Sequence, residues 1–162
     1  MNEILNILLS VAFGSLGYFI TNFWISPVLR YRSLVEKIHG DLVFHANTMH
    51  NPQGLTPHAE KTSDDLRRNA SGLRSLDARI FKPTLFRKIL RVPNSPKIKE
   101  ASGALVGMSN SVFRDTSGNW AFDNVALHQR LKIVQDNLDV TIDEDLDQSL
   151  KNAVELYYGP RG

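Results

Sequence analysis

The sequence predicts an all-α protein, an N-terminal transmembrane helix followed by an antiparallel bundle of four to five helices. Three observations carry this expectation. Residues 4–29 contain no Asp, Glu, Lys or Arg. The stretches beyond them repeat their apolar residues at intervals of three and four, and no stretch alternates convincingly with the period of two that a half-buried strand requires.

The uncharged run defines a first unit, residues 1–29, read as a membrane anchor. At about 1.5 Å of rise per residue, about 20 helical residues cross a hydrocarbon core of roughly 30 Å, so residues 4–29 suffice with some tilt. Fourteen of these positions are Leu, Ile, Phe or Val. Near the bilayer centre each contributes roughly −0.3 to −0.6 kcal/mol, enough to outweigh Asn6, Asn22 and the scattered Ser, Thr and Gly. A secretory signal would carry a basic start and a small-residue cleavage site. This chain begins Met-Asn-Glu and the run ends Trp24-Ile25-Ser26-Pro27, so retention as an anchor is expected. Arg30, Arg32 and Lys37 follow the run, whereas only the α-amino group and Glu3 precede it. The positive-inside tendency then sets the N-terminus outside and the rest in the cytoplasm, with Trp24 at the inner headgroup level.

Asn6, Ser10, Gly14, Gly17 and Thr21 fall at spacings of 4, 4, 3 and 4, a stripe of small or weakly polar residues along one side of the helix. Such a stripe permits close helix approach and interhelical hydrogen bonds. It is expected to serve either as a packing face for a homo-oligomer or as the ordinary Gly and Ser content of a membrane helix. A pore lining is the weaker alternative, because the stripe is uncharged.

Residues 30–162 form the second unit, long enough for one domain with its own core. The chain has no cysteine, so no disulfide supports that core. Charge is divided along it: from Ala78 to Lys99 there are seven basic residues and no acid, and from Asp115 to Tyr158 nine acids face three bases.

In chain order, Leu34, Ile38, Leu42, His45 and Met49 predict a helix from about Pro27 that continues the anchor or restarts after a kink, and NPQGLTP ends it. Leu66, Ala70, Leu73, Asp77 or Leu76, and Ile80 predict the next, from His58 to about Ile80. Within FKPTLFRKILRV, the residues Phe81, Leu85, Phe86, Ile89 and Leu90 oppose Lys82, Arg87, Lys88 and Arg91. That pattern predicts a short basic amphipathic helix suited to an anionic membrane surface. Near such a surface each basic side chain contributes about 1 kcal/mol, although a solvated face on a core helix accounts for the same pattern.

Ile98, Ala101, Leu105, Met108 and Val112 form the clearest helical seam. After RDTSGN at 114–119, Trp120, Asn124, Leu127, Leu131, Val134 and Leu138 mark another helix, ending near Val140. Thr141-Ile142-Asp143-Glu144 matches a capping box, and predicts a last helix that Gly159-Pro160 closes.

No metalloprotease, nucleophile-elbow or phosphate-loop motif occurs. His39, His45, His50 and His58 lie within twenty residues, and Asp41 and His45 share a helix face. Two such ligands could hold a metal, but an imidazole on an apolar stripe is more often a hydrogen-bonded core residue. Asp143, Glu144, Asp145 and Asp147 lack the glycine and distant Glu of a calcium loop. No catalytic, cofactor or metal site is therefore expected. The basic stretch lacks an aromatic platform, which disfavours nucleic acid as a partner.

The phrases LVEKIHGDLVFHAN at 34–47, LRRNASGL at 66–73 and ASGALVGMSNSV at 101–112 resemble a loose group of small, uncharacterised bacterial single-pass membrane proteins with a helical cytoplasmic domain. The resemblance implies an architecture and a bacterial inner-membrane location, and carries no activity. The expected partners are the lipid bilayer, a second copy of the chain and an unidentified protein. The expected role is a non-catalytic interaction module, and the alternative is an oligomerising membrane-perturbing effector of toxin or phage-defence type.

Overall fold

A computed structural model describes residues 2–50, 54–80, 84–113 and 120–140. The chain is all-helical there: a long apolar N-terminal helix leads into a bundle of several helices. Helix α1 (Asn2–Ile20) passes through one π-helical turn (Thr21–Ile25) into α2 (Ser26–Phe44). The π-turn has a local cause. Pro27 lacks an N–H, which would leave an α-helical carbonyl unpaired, and the turn just before it widens so that the Ser26 N–H reaches the Thr21 carbonyl. Of the two expected courses, continuation or a restart after a kink, the chain takes continuation.

Helix α2 ends where the backbone turns at His45 (φ −92°, ψ 3°), and the one-turn α3 (Ala46–His50) follows. Gly54 adopts φ +71°, the conformation that suits glycine. Thr56 then caps α4 (Pro57–Arg79), its hydroxyl accepting from the Ala59 N–H at 3.2 Å. The short α5 (Thr84–Ile89) precedes α6 (Ser95–Ser111), which Asn94 caps by accepting from the Lys97 N–H at 3.1 Å. Helix α7 (Trp120–Leu138) is the last described element. The expected loop at 114–119 and the capping-box helix from Thr141 lie outside the described residues.

Side-chain bonds fix the packing order and its sense. Between α2 and α4, Lys37 and Asp41 meet Asn69 while His45 meets Thr62, so rising numbers on one helix meet falling numbers on the other. Between α4 and α6, Asp77 meets Ser95, the Ala70 carbonyl accepts from Ser102, and Arg67 donates to Ser109. Both pairs are antiparallel. Helix α7 packs on α6, and α3 touches both α4 and α7.

The core holds Ile38 and Leu42 from α2, Leu66, Ala70 and Leu73 from α4, Ile98, Leu105 and Met108 from α6, and Leu127, Leu131, Val134 and Leu138 from α7. These are residues of the expected seams. Val28 and Tyr31 extend the core toward the anchor, and no described residue before Val28 is buried.

Candidate functional site

Helix α1 presents apolar side chains to the surroundings on every side, with Ile4, Leu8, Phe13, Leu16 and Phe19 all exposed. A water-soluble helix buries such residues, and a helix that is apolar all round calls for an apolar environment. The region Glu3–Phe44 includes a stretch long and apolar enough to cross a membrane. The polar side chains in that stretch are partly satisfied within the helix. Ser10 Oγ donates to the Asn6 carbonyl at 2.8 Å, and Asn22 Nδ2 donates to the Tyr18 carbonyl at 3.0 Å. Internal pairing lowers the cost of placing these groups in lipid.

All five stripe residues, Asn6, Ser10, Gly14, Gly17 and Thr21, are exposed, and a methyl group added at Gly14 or Gly17 would meet nothing within 4 Å.

The base of the anchor is built from α5. Trp24 and Phe86 meet edge-to-face with ring centroids 4.8 Å apart, and Arg32 donates to the Leu90 carbonyl at 3.2 Å. Two contacts thus hold α5 beside the junction of α1 and α2. Within α5 one residue, Arg87, departs from the expected basic face, while Lys88 and Arg91 stay on the outside. Arg87 is 5% exposed, whereas Leu85 is 67% and Ile89 66% exposed. Arg87 Nη2 lies 2.8 Å from Asp77 Oδ1, and Nη1 donates to the Pro93 carbonyl at 2.9 Å.

The expected membrane-surface basic set of Lys82, Arg87, Lys88 and Arg91 is therefore corrected at Arg87. Its charge is consumed inside the bundle because α4 supplies a buried carboxylate. Lys88 and Arg91 are exposed, and Lys82 lies outside the described residues.

Beside this ion pair is a cleft of about 500 Å³ lined by Arg74, Asp77, Arg87, Asn94, Ser95 and Lys99 among others. Ser95 donates to the second oxygen of Asp77. Tyr31 lies in the same field, its hydroxyl buried without a hydrogen-bond partner. Burial raises its pKa far above the ordinary phenol value, opposed by Arg87 and reinforced by Asp77 and Asp139, so the phenol stays neutral.

A second polar seam joins α2 to α4. Asp41 accepts from Lys37 and from Asn69 Nδ2, the latter at 2.7 Å. Desolvation pushes the Asp41 carboxyl up, but hydrogen bonds from Lys37 and Asn69, with the attraction of Lys37 and His45, outweigh it and hold the pKa below its ordinary value. His45 places Nδ1 2.9 Å from Thr62 Oγ1 and Nε2 3.2 Å from Asp65 Oδ2. Asp41 thus pairs with Lys37 on its own helix and Asn69 on α4, His45 pairs with Thr62 and Asp65 on α4, and no group of three or more metal-ligating side chains occurs among the described residues.

Reading the sequence did not single out Thr62 and Asn69, although their spacing of 4, 3 and 4 with Leu66 and Leu73 puts them on the buried side of α4. Asp77 did carry a signal, since it falls on the apolar stripe of its helix. Comparison of the chain with protein families, curated proteins and solved structures gives no match.

Proposed function

We propose that the protein is a single-pass membrane protein whose helical bundle is a non-catalytic interaction module for a protein partner or a second copy. The supporting observation is the exposed apolar length of α1, continuous with the first bundle helix. A helix continuous through the junction carries the bundle directly on the end of the anchor. In this reading residues 4–29 span a bacterial inner membrane, the N-terminus lies outside, and Arg30, Arg32 and Lys37 hold the bundle on the cytoplasmic side. Crosslinking the full chain in native membranes tests the proposal: capture of a specific protein or of a second copy is expected. Turnover of a substrate that is abolished by substitutions at His39, Asp41 or His45 would overturn it.

The exposed stripe of Asn6, Ser10, Gly14, Gly17 and Thr21 supports one other reading, in which copies of α1 associate through it and make the bilayer leak. Expression that leaves the membrane potential intact, or Gly14→Leu and Gly17→Leu variants that behave as the parent, would remove that reading and leave the first in place.

A further inference from the structure

Helix α5 buries one cation and turns two large aliphatic side chains outward beside the anchor. One helical face carries Arg87 inward to Asp77 and the Pro93 carbonyl, and the opposite face carries Leu85 and Ile89, four residues apart, outward. An outward pair of large aliphatic side chains with an exposed lysine between them suits the boundary between an apolar medium and water.

The position of α5 identifies that medium. From Ile4 to Trp24 an α-helix rises about 30 Å, the thickness of the hydrocarbon core, so Trp24 falls at its boundary. Phe86 touches Trp24 and Arg32 holds the Leu90 carbonyl, so α5 lies at the same level. The flanking charge is of one sign. Arg79, Lys88, Arg91, Lys97 and Lys99 are exposed around it, and the whole stretch from Ala78 to Lys99 has no acid.

We propose that α5 is a membrane foot: Leu85 and Ile89 enter the acyl boundary of an anionic leaflet while Lys88 and Arg91 meet its phosphates. The proposal rests on the anchoring of α1 and adds a second contact between bundle and bilayer. With α1 crossing the membrane and α5 lying in its surface, the bundle is held at two points and cannot swivel about the anchor. Interfacial insertion of this kind combines buried apolar area with attraction to acidic headgroups, so it depends on lipid composition.

The absence of cysteine from the chain makes the test direct. Full-length protein carrying Leu85→Cys, Ile89→Cys, Leu9→Cys or Glu100→Cys is labelled with the fluorophore NBD. It is then reconstituted into phosphatidylcholine vesicles or into an equimolar mixture with phosphatidylglycerol. Labels at 85 and 89 are expected to emit at shorter wavelength than the label at 100. Nitroxide lipids should quench them about twofold more than that label in the anionic vesicles, the excess shrinking when Lys88→Gln and Arg91→Gln are combined.

Emission at 85 and 89 matching the water-exposed label at 100 overturns the foot. Blue-shifted emission without lipid quenching also overturns it, because another protein surface then covers α5. The label at 9 separates the two levels. If nitroxide lipid quenches it while 85 and 89 stay unquenched, the anchor stands and only the foot falls; if 9 itself is unquenched, both fall.

Discussion

The guanidinium of Arg87 lies 2.8 Å from the carboxylate of Asp77, with the Arg side chain 5% and the Asp side chain 9% exposed. The pair ties the C-terminal end of α4 to α5, and through the Pro93 carbonyl and Ser95 to the start of α6. Two charges this well removed from water are held by each other and by their hydrogen bonds. Removing one partner leaves the other buried and uncompensated, which costs about 3–5 kcal/mol. Arg87→Met in the full chain is therefore expected to lower unfolding stability in detergent micelles by about 3 kcal/mol. The double variant Asp77→Leu with Arg87→Met should recover most of that loss. Chemical denaturation of the parent, the two single variants Arg87→Met and Asp77→Leu, and the double variant checks the coupling, and costs that simply add would contradict it.

Two glycines of α6 are expected to respond to alanine with opposite signs. At Gly103 an added Cβ meets nothing within 4 Å, so Gly103→Ala should stabilise by about 0.5–1 kcal/mol through the lower conformational entropy of the unfolded chain. At Gly107 the same atom would sit 2.7 Å from Arg130 Nε and 3.1 Å from its Cδ and Cζ. Arg130 crosses the glycine to donate to the Gly107 carbonyl at 3.0 Å and to Ser111. Pushing it away forfeits two hydrogen bonds of about 1 kcal/mol each, more than the helix gains, so Gly107→Ala should destabilise by about 1 kcal/mol. Thermal unfolding of both variants checks the contrast.

What the sequence made legible, and what it hid, follows one physical line. Helices α2, α4, α6 and α7 pack through ordinary apolar stripes, so Ile38 and Leu42, Leu66 and Leu73, Ile98 and Met108, and Leu131 and Val134 were readable from spacing alone. Periodicity assigns every charged residue to the outside, and α5 breaks that assumption. The carboxylate that draws Arg87 inward is ten residues earlier on another helix, and a pairing at that distance leaves no periodic trace. The one available clue was Asp77 itself, a carboxylate on an apolar stripe, which implies a buried cation somewhere. His45 gave a similar clue on α2 and its partner Asp65 gave none. The π-turn was foreshadowed by Pro27, whose missing donor must be absorbed within the preceding turn.

Arg91 and Asp139 close α5 and α7 in the left-handed region, at φ 52° and 56°. The Val92 N–H returns to the Arg87 carbonyl at 2.8 Å and the Arg91 N–H to that of Lys88 at 3.2 Å, the bond pair of a Schellman turn. A β-carbon in this conformation costs roughly 1–2 kcal/mol, part of which glycine recovers. Arg91→Gly is expected to raise stability by about 0.5–1 kcal/mol in zwitterionic detergent, and Arg91→Val, branched at Cβ, to lower it by about 1 kcal/mol. Unfolding midpoints of the two variants against the parent test the order.

Acid should weaken the bundle in two separable steps. His50 on α3 is half-buried with Nε2 unpartnered, and burial, then the neighbouring His128 of α7, hold its pKa below the ordinary 6.5. The unfolded chain therefore binds this proton at a higher pH than the folded one, so stability linked to His50 is complete above about pH 6.5 and is lost as pH falls toward the folded value. Asp41 acts in the same direction further into acid. Its carboxyl is held below the ordinary 3.8, so its contribution is complete above that value and disappears as pH falls through the depressed pKa. Unfolding temperatures of the full chain are expected to drop between about pH 7.5 and about pH 5.5, with a further drop as pH falls below the ordinary carboxylate value of 3.8. His50→Phe should flatten the first step alone, because it removes the group that must charge inside the α3–α7 contact, and Asp41→Asn should reduce only the second. A parent protein with the same unfolding temperature at the two higher pH values would show that His50 takes up its proton equally well folded and unfolded, and the burial assigned to it would be wrong.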